Sequence, residues 1–298
     1  MRTTKRFTPT VLARFAREGR GNGLYETYVP WHRVSRGDPS SRGRSHLQMW
    51  NGRQRELLSD GEWVGTFFAA MLPGLKDIRE QFPLSVDSGR HELADYVIDA
   101  PAGLFPGTKA IAEQLNISHP AISSNGKSVD WTPTTDLLLL LQSSGGALEL
   151  LAIAVKPTAE LTKGMRKSLA LENAYWDARG VPWLLITPEQ FDNRVALTLR
   201  CTMPWALGEK TNEDDRKIAA SLASKCNGRS LTHVLEATSR ALDGDFDRAQ
   251  RAFWQAVWCG DIPLDLRRGW RPHTPISLLP ASAFWEQNPV ASRRSAWN

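Results

Sequence analysis

The chain is poor in cysteine, with three among 298 residues. Cys201, Cys226 and Cys259 are odd in number, widely spaced and outside any CxxC or paired-His pattern, so neither a disulfide framework nor a zinc site organises the fold. They read as reduced core or surface thiols. Also missing is any apolar stretch near the ~20 residues a membrane-spanning helix needs. The opening "MRTTKRFTPTVLARF" has no apolar core of signal-peptide length. We therefore expect a cytoplasmic protein. A strong net charge is absent too, since 37 Lys/Arg against 32 Asp/Glu leave only +5.

That charge is unevenly spread. Residues 1–60 carry twelve Lys/Arg and five Asp/Glu, a surplus of seven, so the remainder sums to −2. Arg33, Arg36, Arg42, Arg44, Arg53 and Arg55 fall in a Gly/Ser/Pro-rich stretch, where a mobile basic arm would neutralise phosphates. The plainer reading is a solvated basic loop. Length and a 41% hydrophobic content allow two cored domains.

Three residues have the order and setting of a metal-dependent nuclease site: Glu62 in "LLSDGEW", Asp136 in "TPTTDLLLLL" and Lys156 in "LLAIAVKP". Phosphodiester hydrolysis needs carboxylates to hold a divalent cation that activates water and clamps the reacting oxygens. A lysine beside the metal can orient the water and offset charge growing on phosphorus. The run "TTDLLLLLQ", the turn "SSGG" and the run "ALELLAIAVK" predict two strands joined as a hairpin. Alternation puts Lys156 on one face with Ala154, Ala152 and Leu150, and sets Glu149 on the other, away from the site. Each residue also has a bland role. Glu62 stands three positions after Ser59 and suits a capping box, Asp136 suits a strand entry, and Lys156 suits an exposed strand end.

Residues 107–123, "TKAIAEQLNISHPAIS" among them, read as a helix-turn-helix, with Asn116 in the turn and Pro120 in the first turn of a second helix. This reading supports an alternative function, a DNA-binding regulator, but the segment lies between "DIREQFPL" and "TTDLL" inside the catalytic domain, so an insertion near the active-site cleft is expected instead. Helical patterns occupy 213–225, 231–242 and 245–258, the last capped by Asp245, and then come the extended runs "IPLDLRRGW" and "PISLLPA". Three helices and a small wing predict a mainly α, winged-helix domain over 199–298, after a catalytic domain over 1–198. Trp254, Trp258 and Trp270 are candidates for its core or for partner anchors.

The segments "EGRGNGLYETYVPWHRV", "GRSHLQMWNGRQRELLSDGE", "KDIREQFPL", "TTDLLL", "AVKP" and "LENAYWDARGVPWLLIT" occur in that order from about residue 17 to about 188. Together they resemble the TnsA family, the endonuclease subunit of heteromeric bacterial cut-and-paste transposons. The resemblance implies an α/β restriction-endonuclease-like fold with a PD-(D/E)XK-type site. It matches Glu62, Asp136 and Lys156 to the family's helical acid, strand Asp and strand-end Lys, and Glu172 to an acidic position on the helix after the second strand. The family motif carries Gln at the position of Ala154, so a side-chain ligand is missing there and the Val155 carbonyl is left as an oxygen source.

The same resemblance implies an Mg2+-dependent endonuclease, with Mn2+ able to substitute, that cuts the 5′ strands at transposon ends during excision. Its implied partners are double-stranded DNA at those ends, a DDE-type transposase (TnsB-like) that cuts the 3′ strand, and an AAA+ ATPase regulator (TnsC-like). Two further alternatives stand beside the regulator: an assembly scaffold that keeps the fold with weak catalysis, motivated by Ala154, and a stand-alone restriction or repair nuclease.

Overall fold

The structure is a computed structural model that describes residues 7–35 and 44–297. Contacts divide the chain into two compact units. One holds the described residues up to Trp63 together with Gly74–Leu185 and Trp297, and the other holds Val64–Pro73 and Ile186–Ala296. The expected break at 198/199 therefore differs from the observed one, because the apolar part of a helix near residue 64 packs with the C-terminal unit.

The first unit opens with helix α1 (Pro9–Arg17), capped by Thr8, and a hairpin of strands β1 (His46–Trp50) and β2 (Arg53–Leu57). Asn51 and Gly52 both have positive φ and form a two-residue turn between paired Trp50 and Arg53. Helix α2 (Asp60–Ala70) comes next, then β3 (Leu75–Pro83), α3 (Thr108–Gln114) and a second hairpin of β4 (Ala121–Ser124) and β5 (Lys127–Asp130). The central strands are β6 (Thr134–Gln142) and β7 (Leu148–Val155), and helix α4 (Lys163–Asp177) leads to β8 (Trp183–Ile186).

One sheet has the order β3-β6-β7-β8, with β3/β6 and β6/β7 antiparallel. The predicted hairpin is present, and its apolar runs are explained by burial on both faces: Leu137 to Leu141 and Leu150 to Val155 are all buried. Leu138, Leu140, Leu150 and Ala152 form one core with Leu171, Tyr175 and Trp176 of α4. The C-terminal end of α4 is pinned by a buried cluster in which Arg179 Nε donates to both Glu92 oxygens at 2.9 Å and the Tyr175 hydroxyl donates to Glu92.

The helix-turn-helix pattern at 107–123 does not form. The first helix forms as α3 and ends at Gln114, with Asn116 in the turn beyond it at φ 52°. The second is replaced by the β4/β5 hairpin, because Asn125-Gly126 adopts positive φ at both positions (51° and 75°) and closes a two-residue turn between paired Ser124 and Lys127.

In the second unit, α5 (Asn193–Ala206) precedes α6 (Glu213–Lys225), α7 (Leu231–Ala241) and α8 (Phe246–Cys259), which match the three expected helices. Side chains of Asn212, Ser230 and Asp245 accept from the first-turn N–H groups, and Gly260 ends α8 at φ 86°. Trp254 and Trp258 are core, while Trp270 is 36% exposed. The two extended runs give only the isolated bridges Leu264↔Leu278 and Ser230↔Pro275, so no paired wing strands form among the described residues. A short helix α9 (Ala281–Trp285) lies beyond them. No helix among the described residues is long and apolar enough to cross a membrane.

Candidate active site

Asp136 is the third residue of β6, and Lys156 directly follows β7. Because the two strands are antiparallel neighbours, a turn of only five residues brings them together. Asp136 Oδ2 accepts from the Val155 backbone N–H at 2.7 Å and from Lys156 Nζ at 3.0 Å. Lys156 Nζ also donates to the Val155 carbonyl at 2.9 Å. Burial alone lowers the Lys156 pKa, but the carboxylates of Asp136, Glu172 and Glu62 outweigh it and raise the pKa above its ordinary value. Lys156 is therefore a fixed cation.

Glu62 arrives from the first turn of α2. Ser59 Oγ accepts from its backbone N–H at 3.1 Å, and its carboxyl accepts from the Leu58 N–H at 2.8 Å and the Ser59 hydroxyl at 3.1 Å. The capping role and the site role thus belong to the same side chain. Burial, then the charge of Asp136, pushes its pKa up to about 8. Glu172, two turns into α4, accepts from the Thr135 hydroxyl and from Trp183 Nε1, each at 3.0 Å. Burial and Asp136 push it up to about 7. Three carboxyls and one lysine are thus electrically coupled, and two of the carboxyls hold protons that a water-exposed acid would have lost. Asp136, Lys156 and Glu172 line one cleft with Gly164, Lys167 and Ser168 of α4. Glu149 is exposed, paired across the sheet with Leu141 at the other end of β7.

The basic set is scattered. Arg44 is exposed, and Arg33 is exposed with an ion pair to Glu56 at 3.0 Å. Arg36 and Arg42 lie outside the described residues. Arg53 and Arg55 require correction, since both are strand residues buried in β2 and not part of an open arm. Arg53 gives both of its terminal nitrogens to Glu80 at 2.5 Å, and Arg55 donates to the Ile78 carbonyl at 2.6 Å.

The family model described as "TnsA-like endonuclease N terminal" matches residues 106–188, the span that contains Asp136, Lys156 and Glu172. The Transposon Tn7 transposition protein TnsA of Escherichia coli is 31% identical over 233 residues, covering 77% of this chain and 72% of that protein. The chain belongs to the TnsA family. As a TnsA-family protein it is a transposition endonuclease, a hydrolase that cuts DNA, and its mixed α/β unit is the restriction-endonuclease-like fold of that domain.

Endonucleases of this kind generally use a divalent metal, and the candidate donors here are the oxygens of Asp136, Glu62, Glu172 and the Val155 carbonyl. All are hard oxygens, which suit such an ion. Among the described residues no three His, Cys, Asp or Glu side chains form a group ready to hold a metal ion. Lys156 instead occupies the shared position beside Asp136 and the Val155 carbonyl. Burial first and the Asp136 charge second raise the pKa of Glu62 and Glu172, and a divalent cation would favour the charged form of both. Ala154, fully buried, adds no side-chain donor.

Sequence reasoning missed the residues that hold the carboxyls, namely Thr135 and Trp183 on Glu172 and Gln81 on Glu62. The strand "KDIREQFPL" carries five polar residues, so the sequence does not single out Gln81.

Proposed function

We propose that this chain is the Mg2+-dependent endonuclease subunit that cuts the 5′ strand at each transposon end during excision. The carrying observation is the bonding of Asp136 to Lys156 and to the Val155 backbone, with two buried, proton-retaining carboxyls coupled to it. Asp136, Glu62 and the Val155 carbonyl would hold the ion, with Glu172 as a further carboxylate. Bound there, Mg2+ (or Mn2+ in its place) would supply Lewis-acid activation of a water for phosphodiester hydrolysis. Lys156, fixed as a cation, orients the attacking water and offsets charge on the phosphorus oxygens. Glu62 and Glu172 release their protons as the site is charged.

The proposed partners are double-stranded DNA at the transposon ends, a DDE-type transposase that cuts the 3′ strand, and an AAA+ ATPase that links excision to target choice. Exposed Arg33 and Arg44, with Arg36 and Arg42 between them in sequence, are the proposed phosphate contacts. The C-terminal unit is read as a winged-helix-like module for DNA or partner binding on the strength of α6, α7 and α8. The regulator alternative loses its basis with the missing second helix at 107–123.

Asp136→Ala, assayed on transposon-end DNA with the partner proteins, tests the proposal. Loss of 5′-strand cleavage with intact fold and complex assembly is expected. Wild-type cleavage would remove the nuclease assignment from these residues.

A further inference from the structure

Gln81 sits in β3, where Glu80 pairs with Leu137 and Phe82 with Thr135, so it lies directly across from Asp136. The β6/β7 register, carried one residue past Leu137↔Ile153, sets Ala154 on the other flank of Asp136. Ala154 offers that flank no polar side chain, and Gln81 supplies the polar neighbour across the sheet. Gln81 is 2% exposed and has φ 50°, a left-handed backbone in the middle of a strand. Its Nε2 donates to Glu62 Oε2 at 2.9 Å, and its carbonyl accepts from the Trp31 N–H at 3.3 Å.

Of the seven described non-glycine residues with positive φ, four are Asn or Asp, which tolerate that region. Gln81 is not of that type, and it is buried within a sheet. Such a conformation persists only where the surroundings over-determine it, and it concentrates at working sites. Here it accompanies an amide bonded to the Glu62 carboxyl in a residue whose backbone lies across from Asp136 of β6. An amide suits this position because it fixes a carboxyl oxygen without bringing charge. A lysine would neutralise the acid, and a fourth carboxylate would add to the repulsion.

We infer that Gln81 is a positioning residue for strand cleavage, holding the Glu62 carboxyl in register with Asp136. The inference rests on the nuclease reading above. Gln81→Met keeps the volume and removes the donor. Gln81→Gly also removes it but accepts the left-handed backbone freely. With the full chain, partner proteins and transposon-end DNA, Gln81→Met should lower kcat about 10–100-fold, the loss typical for a partner of a metal ligand, and leave KM for DNA within about twofold. Mn2+ binding to the DNA-free protein, followed by calorimetry, should weaken by a similar factor. Gln81→Gly should be equally impaired.

Wild-type kcat and Mn2+ affinity in Gln81→Met would overturn the inference. So would recovery of activity in Gln81→Gly, which would reduce the position to a backbone requirement. If Gln81→Met does not fold, Gln81→Gly decides alone by the same two readouts. Asp136→Ala is run in parallel. Its cutting normally would remove the nuclease reading, whereas an inactive Asp136→Ala beside a normal Gln81→Met removes only the role of Gln81.

Discussion

Lys156 Nζ lies 3.0 Å from Asp136 Oδ2 and, through its contact with the Val155 carbonyl at 2.9 Å, closes a ring of hydrogen bonds at the end of β7. The protein thus holds the Lys156 ammonium on the Asp136 carboxylate, the pair proposed above to carry the cleavage. The pairing keeps both side chains in place and links charge at the site to one short hairpin.

Changing Lys156 to Ala removes that cation and leaves the Val155 bond to Asp136. Cleavage of the 5′ strand should fall about 10²–10³-fold, the range for losing one preorganised donor. The partner transposase should still process the other strand, so products shift from double-strand breaks to nicks and joined copies. Sequencing the products of a reconstituted reaction checks this. Loss of both cuts from an assembled complex would point to one nuclease making both.

The raised pKa values of Glu62 and Glu172 make metal-free stability depend on pH. The folded chain keeps protons that the unfolded chain releases near 4.5, so the contribution of these groups is complete below about 4.5 and declines as pH rises towards about 7 for Glu172 and about 8 for Glu62. Urea midpoints measured from pH 5 to pH 8 should fall. Glu62→Gln should flatten the upper part of that curve, and adding Mg2+ at pH 7 should release protons and restore stability. Stability that rose across this window would contradict the assignment.

Glu172 and Glu149 are both acids near the central strands, but Glu172 lines the cleft with Asp136 and Lys156, whereas Glu149 is exposed at the other end of β7. Glu172→Gln should raise the Mg2+ concentration needed for half-maximal cleavage, by about tenfold for a lost carboxylate contact. Glu149→Gln should leave it unchanged. Matching metal titrations for the two variants would remove Glu172 from the site.

Arg53 and Arg44 should separate stability from DNA contact. Arg53→Ala strips a buried countercharge from Glu80, itself fully buried, and should cost about 3–5 kcal/mol in unfolding free energy. Arg44→Ala should keep stability within about 0.5 kcal/mol and reduce the salt dependence of DNA binding by about one ion. A shallower salt slope in a fully folded Arg53→Ala protein would return that residue to the DNA surface.

Asp136 and Lys156 are legible in the sequence because a short Gly turn between two apolar runs leaves little choice in how they meet. Glu62 is legible through its spacing from Ser59, although that spacing alone does not distinguish a cap from a catalyst. Arg53 and Arg55 mislead because their countercharge, Glu80, lies more than twenty residues away, and a charge pattern along the chain does not name its partner. The register that sets Gln81 across from Asp136 is equally non-local. The β4/β5 hairpin, by contrast, is marked by Asn125-Gly126, and the apparent helical period before it masks that signal.

Helix α2 carries Glu62 in its first turn, yet from Val64 onward it belongs to the C-terminal unit, where Phe67 packs on Trp258, Phe68 on Phe191, and the Phe68 carbonyl accepts from Asn288. A frameshift or recombination event that deleted the last third of the gene would strip the apolar seat from the helix that carries Glu62. The helix that bears Glu62 and the C-terminal helices thus share one evolutionary fate, since trimming the chain at a boundary drawn along the sequence would remove the packing partners of that helix.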